Sequence, residues 1–296
     1  MNILTFIKER WYLIAVFILA IALLFMLSFF VIVPLFHGDL RYNLSLSDIF
    51  YTHEESSARS NYFVGISGQN FPPLIVYDGN VPTGFDIDLI TWVANDAKIN
   101  ITFVPMTSIE NAFNALRYGE IDMLISGLSI TPKRMEEFLF SIPYHSSEQK
   151  IAVRNESELT LHDFYVGHGL IGVIRGTHNY NVVHELFFER DSADPSRLLE
   201  IDGHTQVIYD LLSGEIDFMV TDQQHMEALV QKYPLKIIGS ISTGEKFGIV
   251  FSKNNVALQK LVDTSLMNLF NSPEWDAIMQ KYFPGQIVHK HEYILG

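Results

Sequence analysis

From Tyr62 onward, short apolar runs alternate with amphipathic stretches. Apolar runs bounded by polar residues are typical of strands, and apolar residues at spacings of three and four are typical of helices. The order strand, helix, strand, helix, strand predicts an α/β lobe with a largely parallel sheet. The segments are Tyr62 to Ile66, Phe85 to Ala97, Ile101 to Val104, Ile109 to Arg117 and Ile121 to Ile125.

A second series of segments repeats this alternation of strands and helices and predicts a second α/β lobe. The tetrapeptide Gly-Glu-Ile-Asp begins at Gly119 in the first series and at Gly214 in the second. In both, glycine suits the left-handed residue that ends a helix, and a strand follows. Ligands bind outside the carboxyl ends of strands in open α/β sheets, so two such lobes facing each other would enclose a cleft. The segments of the second series are Ile171 to Ile174, Thr177 to Phe188, Leu198 to Ile201, Thr205 to Ser213, Asp217 to Val220, Asp222 to Lys232 and Lys236 to Ile238.

The N-terminal part of the chain carries an uncharged apolar run from Trp11 to Val33. Because a helix needs roughly 20 apolar residues to cross a bilayer, this run predicts a transmembrane anchor. A cleaved signal peptide would have a shorter apolar region of about 7 to 15 residues, whereas this run continues to Pro34. Lys8 and Arg10 precede the run, so the positive-inside rule places the N-terminus in the cytoplasm and the remainder outside.

Charge and composition narrow the function classes. The chain has 20 Lys and Arg against 34 Asp and Glu, a net charge of -14, which argues against a nucleic-acid partner. The 48% hydrophobic content excludes a disordered chain. The absence of cysteine excludes disulfides, thiolate metal sites, a cysteine nucleophile and a lipid-modified cysteine anchor.

Residues that could bind a ligand follow the last predicted strand of the first lobe. A threonine-proline pair predicts a helix start and puts Arg134 in the first turn, where the helix dipole disfavours cations by about 0.3–1 kcal/mol. One interpretation is that Arg134 holds an anionic ligand, helped by the hydroxyls of Ser126 and Ser129. The other is a solvated arginine paired with Glu136 or Glu137.

Equivalent positions in the second lobe carry a helix start and a carboxylate. Thr177 and His178 open a helix whose free amides suit an anion, although Thr177 also suits an ordinary capped turn. Asp222 fits either a helix N-cap or a carboxylate that receives a cationic group. Together, a guanidinium, a helix N-terminus and a carboxylate describe a receptor for a zwitterion.

Two further groups resemble metal sites but do not predict one. Asp86 and Asp88 enter a helix after Gly84, where the dipole stabilises acids. His289 and His291 lie in a terminal tail without a third ligand nearby. We therefore expect neither a metal nor a cofactor.

Seven segments, in order from about residue 62 to 284, resemble the extracellular solute-binding proteins of the polar amino-acid type (family 3) that feed ABC importers. These segments are Phe71-Pro72-Pro73-Leu74, Gly84 to Leu89, Ala115 to Asp122, Ser129 to Arg134, Phe140 to Tyr144, Ile171 to Val173 with Gly176-Thr177, and Trp275 to Phe283.

The resemblance implies an α/β, two-lobed periplasmic-binding-protein-like fold of type II, in which the chain crosses between lobes twice and one N-terminal transmembrane helix precedes the lobes. The predicted division is a cytoplasmic N-terminus (1–10), an anchor (11–33), a tether (34–60), lobe 1 (60–148 plus 242–286), lobe 2 (149–241) and a tail (287–296).

The resemblance also implies residue roles. Arg134 is similar to the clamp for an α-carboxylate, supported by Ser129 and the Thr177 region, and Asp222 is similar to the acid that receives an α-ammonium. Phe71 stands where an aromatic residue covers the ligand. The chain departs from the family pattern at Ile109, where an aromatic is usual, at His178, where a small polar residue is common, and at Gly127, where a hydroxyl is expected.

These observations predict a membrane-anchored, extracytoplasmic, non-enzymatic protein that captures a small amino acid for an ABC importer, with the importer's permease as partner. Two alternatives remain. One is a sensory receptor that signals through a partner, and the other is a dehydratase-like enzyme on a related fold.

Overall fold

In the computed structural model, which describes residues 61–189 and 195–285, the chain forms two five-stranded sheets with helices packed on them. We call the parts built on the first and second sheets lobe 1 and lobe 2. The predicted anchor (11–33), the predicted tether (34–60) and the tail histidines lie outside the described residues. Within the described residues, no helix is long and apolar enough to cross a membrane.

Lobe 1 begins with the strand and helix alternation that the sequence predicts. Its elements in chain order are β1 (Asn61–Ser67), β2 (Val76–Asp78), β3 (Val81–Thr83), α1 (Phe85–Asp96), β4 (Asn100–Met106), α2 (Ile109–Tyr118), β5 (Met123–Leu124), α3 (Pro132–Glu137) and β6 (Phe138–Phe140). β2 and β3 form a small separate hairpin.

Lobe 2 follows without interruption in the sequence. Its elements are β7 (His145–Arg154), α4 (Leu161–Val166), β8 (Ile171–Ile174), α5 (His178–His184), a π-helical turn (Glu185–Glu189), a 3₁₀ turn (Pro195–Arg197), β9 (Leu198–Ile201), α6 (His204–Ser213), β10 (Phe218–Asp222), α7 (Gln223–Lys232) and β11 (Leu235–Phe247). The chain then returns to lobe 1 with β12 (Val250–Ser252), α8 (Val256–Phe270) and α9 (Pro273–Tyr282).

Both sheets are mixed, with two parallel and two antiparallel pairings each, whereas the sequence predicts largely parallel sheets. In lobe 1 the strand order is β4-β1-β5-β12-β6, with β1 parallel to β4 and β5, and β12 antiparallel to both neighbours. In lobe 2 the order is β11-β7-β10-β8-β9, with β8 parallel to β9 and β10, and β7 antiparallel to both neighbours. In each sheet the antiparallel pairing involves a strand that connects the lobes or returns from the other lobe.

Strands β7 and β11 carry the chain between the lobes. They pair along most of their length, from Leu235 opposite Arg154 to Phe247 opposite His145. The pairing is irregular between Ile237 and Gly239 and, over a longer stretch, between Ile241 and Glu245. The predicted lobe boundaries near residues 148 and 242 therefore fall inside two continuous strands, not in loops.

The repeated glycine junction has the predicted conformation in both lobes. Gly119 ends α2 with φ 74°, and Gly214 ends α6 with φ 88°. Each glycine is in the left-handed region that L-residues avoid. The strand after each junction runs into its sheet and delivers its carboxyl end to the same cleft.

Candidate functional site

A cavity of about 390 Å³ lies between the lobes. Lobe 1 contributes the loop between β5 and α3, and lobe 2 contributes the β8–α5 turn and the end of β10. All the residues predicted to bind ligand line this cavity: Phe71, Ser126, Ser129, Arg134, Thr177, His178 and Asp222. The structure thus brings together side chains that are far apart in the sequence.

Arg134 lies in the first helical turn of α3, as predicted, because Thr131 accepts the Arg134 backbone N–H at 3.3 Å and Pro132 begins the helix. Its guanidinium donates to the Ser129 carbonyl at 2.9 Å and, across the cleft, to the Gly176 carbonyl at 3.4 Å. It also lies over the Phe113 ring, 5.1 Å from its centroid.

The alternative pairing of Arg134 with a helix glutamate does not occur. Glu137 instead accepts from Arg117 at 2.6 Å, and Arg134 turns towards the cavity. Burial lowers the pKa of Arg134, while the negative charges of Glu245 and Asp222 act in the opposite direction. The guanidinium is therefore a partly buried cation, and the charges that act on it are those of the Asp222 and Glu245 carboxylates.

Asp222 ends β10 and precedes α7, but its side chain does not cap that helix. Its Oδ1 accepts from Gln149 Nε2 at 2.9 Å and from Asn179 Nδ2 at 3.0 Å. Among the described residues Oδ2 has no hydrogen-bond partner, and Asp222 lines the cavity. One carboxylate oxygen is thus fixed by lobe 2, and the other is left for a donor in the cleft.

A second buried carboxyl, that of Glu245 on β11, lies behind Asp222. Gln149 Nε2 donates to Glu245 Oε2 at 2.5 Å and to Asp222, so one amide joins the two acids. Burial raises the pKa of both carboxyls, and the charge of Asp222 raises the pKa of Glu245 further. Gln149 Oε1 in turn accepts from Asn179.

Thr177 and His178 lie where the sequence places them, at the start of α5. The Thr177 hydroxyl donates to the Ile174 carbonyl at 2.6 Å instead of capping the helix. His178 is half-buried, and burial together with the charge of Arg134 lowers its pKa. His178 is therefore neutral beside the cavity at physiological pH.

Asp86 fixes the loop between β5 and α3 through a buried hydrogen bond. The buried carboxylate of Asp86 accepts the Gly127 N–H at 2.8 Å, and burial raises the pKa of Asp86 to about 7. Ser126 accepts the Ser67 N–H at 2.7 Å, which ties the loop to β1. The carbonyl of Ser129 is the group that receives Arg134.

Phe71 is only 4% exposed because two histidine rings of lobe 2 pack against it. His204 and His225 lie 4.4 Å and 4.5 Å from its ring centroid. His225 Nδ1 lies 3.0 Å from the Pro72 carbonyl oxygen, and the His204 backbone N–H donates to Gln69 Oε1 at 2.9 Å. These contacts join the lobes at one end of the cavity.

Sequence reasoning did not identify the polar residues behind the cavity wall, namely Gln149, Asn179, Glu245, Gln69, His204 and His225. A signal was present in β7, where His145, Ser147 and Gln149 occupy the alternate positions that Ile151 continues. Alternation in a strand puts these polar residues on the buried face. A buried polar face indicates a hydrogen-bonded network.

The chain is similar to known proteins over the same region. The family described as bacterial extracellular solute-binding proteins, family 3, matches residues 63–285. A Neisseria gonorrhoeae protein named "Probable histidine-binding protein" is 29% identical over 73% of this chain and 81% of its own length. The ABC transporter glutamine-binding protein GlnH of Bacillus subtilis is 26% identical over 67% of this chain and 72% of its own.

A solved structure has the same architecture. The arginine-, lysine-, histidine-binding protein ArtJ from Geobacillus stearothermophilus matches with a TM-score of 0.68 and 27% identity. The match covers 77% of this chain and 96% of that one.

Proposed function

The chain belongs to family 3 of the bacterial extracellular solute-binding proteins, and we propose that it captures a small amino acid in the cleft between its lobes. The observation that carries this proposal is the placement of Arg134 and Asp222. One is a guanidinium of lobe 1, the other is a carboxylate of lobe 2, and both line the same cavity of about 390 Å³.

The two charged groups suit the two ends of a zwitterion. The guanidinium of Arg134 provides N–H donors for an α-carboxylate, and charge-assisted hydrogen bonds of this kind are about twice as strong as neutral ones. The free Oδ2 of Asp222 accepts from an α-ammonium. Ser129 supports this clamp by holding Arg134 with its carbonyl.

The remaining predicted residues surround the rest of the ligand in this proposal. Ser126, Thr177 and His178 face the cavity from both lobes, and Phe71 closes one end of it. Because His178 is neutral and Phe71 is held by two lobe 2 rings, these residues shape the pocket rather than bind a charge.

We further propose that the protein delivers its ligand to the permease of an ABC importer and is held at the membrane by the predicted anchor, residues 11–33. The domain would then be extracytoplasmic. The relatives named for glutamine and histidine binding support the importer role and suggest the amino acids to test first.

A binding screen tests the proposal. The full chain in detergent is heated with each common amino acid, and at least one, with arginine, glutamine and histidine tried first, is expected to raise the melting temperature. Ligand at 100 times its Kd stabilises the folded state by about 2.7 kcal/mol. If no amino acid shifts the melting temperature, the proposed ligand class is wrong. Chemical recovery of the amino acid unchanged separates binding from turnover.

A further inference from the structure

We propose that the buried carboxyl groups of Asp222 and Glu245 hold one proton between them in the empty cleft and release it to solvent when an amino acid binds. The proposal rests on the proposed function, because the ligand's ammonium group displaces the proton. It gives Glu245, which does not line the cavity, a role in selecting ligands that carry a cationic amine.

The geometry makes the two carboxyls one unit. Asp222 is 7% exposed and Glu245 is 5% exposed. Both NH₂ hydrogens of Gln149 are used to join them, since Nε2 donates to Asp222 Oδ1 and to Glu245 Oε2. Interacting acids of this kind lose their protons as a pair and not independently.

The charge around the pair favours retention of one proton. The charged groups that act on Glu245 are Asp222 from β10 and Arg134 from α3. The neighbouring positions of β7 contribute only the uncharged side chains of Ser147 and Gln149. Two ionised carboxylates would leave one buried negative charge without a partner, which is costly in a low dielectric.

The structure also provides a place for that proton. Glu245 Oε2 is occupied as an acceptor by Gln149, whereas Oε1 is buried with no hydrogen bond of ordinary geometry. The Ser129 side chain is the polar group beside it. A protonated Oε1 can donate towards the Ser129 hydroxyl, so the neutral form of Glu245 is compatible with its surroundings.

Ligand binding changes this balance. The ammonium of the amino acid brings a second positive charge to Asp222, and the carboxylate of the amino acid lies against Arg134 on the other side. The zwitterionic part of the amino acid adds no net charge, but its ammonium contacts the pair directly while its carboxylate lies farther away, beyond Arg134. The electrostatic potential at the pair therefore becomes more positive, and ionisation of Glu245 becomes easier. The Oε1–H bond of Glu245 breaks, the proton passes to solvent, and Glu245 stays ionised while the ligand is bound.

The sign of the pH dependence follows from linkage. Because the proton and the ligand compete, binding weakens as the pH falls from about pH 8 to about pH 6, the range in which the pair titrates. Release of a whole proton weakens the affinity about tenfold per pH unit. The buried His204 and His225 and the half-buried His178 have lowered pKa values and stay neutral over this range. Asp86, whose pKa burial raises to about 7, titrates in the same range, but it is present in the wild type and in Glu245→Gln alike, so the comparison of the two isolates Glu245.

The test is calorimetric titration of the full chain in detergent with L-arginine and L-glutamine, at about pH 7, in phosphate and in Tris. These buffers take up protons with different enthalpies, so the difference in observed heat counts the protons released. We expect about half to one proton per ligand for the wild type and close to none for Glu245→Gln. The Kd of Glu245→Gln is expected to stay constant between about pH 6 and about pH 8.

Glu148→Gln is the matched control, because Glu148 lies on β7 beside Gln149 but is solvent-accessible and pairs with Lys150. It should release protons as the wild type does. The proposal would be overturned if the wild type and Glu245→Gln released the same number of protons, or if the wild type released none. Either result would leave the proposed amino-acid binding intact. If Glu245→Gln does not fold, Gln149→Ala, which removes the amide that joins the two carboxyls, takes its place and should change the proton count. Absence of any amino-acid binding would overturn both this proposal and the proposed function.

Discussion

At the scale of single residues, Arg134 shows how a partly buried cation is stabilised at an unfavourable position. The first turn of a helix repels positive charge, and burial further disfavours the guanidinium. Two backbone carbonyls, the face of Phe113 and two nearby carboxyls offset these costs. The cation therefore lies where the helix dipole disfavours it, in a position that lets it bind an anion, and such exceptions are typical of functional sites.

The paired charges of the cleft predict a large effect of removing either one. In the proposed complex Arg134 pairs with the carboxylate of the amino acid and Asp222 with its ammonium. Truncating one partner of a buried charge pair costs about 2 to 5 kcal/mol, so Arg134→Ala and Asp222→Ala should each weaken amino-acid binding by about 30-fold to several thousand-fold. Calorimetric titration with the amino acid found in the screen measures this loss. Lys133→Ala is the control, because Lys133 is exposed on the same helix.

Full affinity in the Arg134 variant would show that the clamp lies elsewhere. A melting curve of each variant without ligand separates a lost contact from a misfolded protein.

The residues that could be predicted from sequence are those next to a glycine, proline or strand end, where local rules apply. Arg134 lies at the start of the helix that follows β5, and Asp222 is the last residue of β10, so their convergence on one cleft follows from α/β topology. Gln149 and Glu245 belong to long connecting strands, and their proximity depends on how β7 pairs with β11. No local rule fixes that register, so this pair could not be found without the fold.

At the scale of elements, the sequence pattern predicts helices and strands well where apolar periodicity is strong. β8 and β9 occur at the predicted residues, and α2 differs by one residue. β11 is far longer than the predicted segment Lys236 to Ile238, because it continues as a polar, partly exposed strand paired with β7. Cross-strand pairing, and not hydrophobicity, extends it.

Alanine substitutions of Gly127, in the loop between β5 and α3, and of Gly119, at the end of α2, should have different effects on stability. Gly127 has φ 57°, and a Cβ there would lie 2.6 Å from Leu74 Cδ1 and 3.1 Å from Phe71 Cε1. Gly119 has φ 74° with nothing within 4 Å of such a Cβ. Urea unfolding should show a loss of about 1 to 2 kcal/mol for Gly119→Ala. Gly127→Ala should lose about 1 to 3 kcal/mol more, because its methyl group overpacks the core.

Gly127→Ala should also weaken ligand binding, since the loop positions Ser126 and Ser129, whereas Gly119→Ala should not. Equal losses of stability in the two variants would mean that backbone strain alone determines the cost.

At the scale of the whole molecule, the two lobes are joined by two strands and by contacts across the cleft. The strands can bend where their pairing is irregular, between Ile241 and Glu245. The cross-cleft contacts include the Arg134 bond to Gly176 and the packing of His204 and His225 on Phe71. A ligand that touches both lobes adds to these contacts and favours the closed arrangement.

This arrangement predicts a measurable change of shape on binding. Saturating the wild type with its amino acid should reduce the radius of gyration in X-ray scattering, because the ligand joins Arg134 in lobe 1 to Asp222 in lobe 2. Lys133→Ala should contract in the same way, and Asp222→Ala should not. An unchanged radius in the wild type at saturation would show that binding does not depend on closure.

The position of β12 in the first sheet has a consequence for how the protein is made. β12 lies between β5 and β6, yet the whole of lobe 2 separates it from them in the sequence. Lobe 2 can complete its sheet from one contiguous stretch of chain. The sheet of lobe 1 lacks the interior strand β12 until residue 252 has been synthesised. During vectorial synthesis lobe 2 therefore matures first, and the edges of β5 and β6 stay open to wrong pairing in the interval.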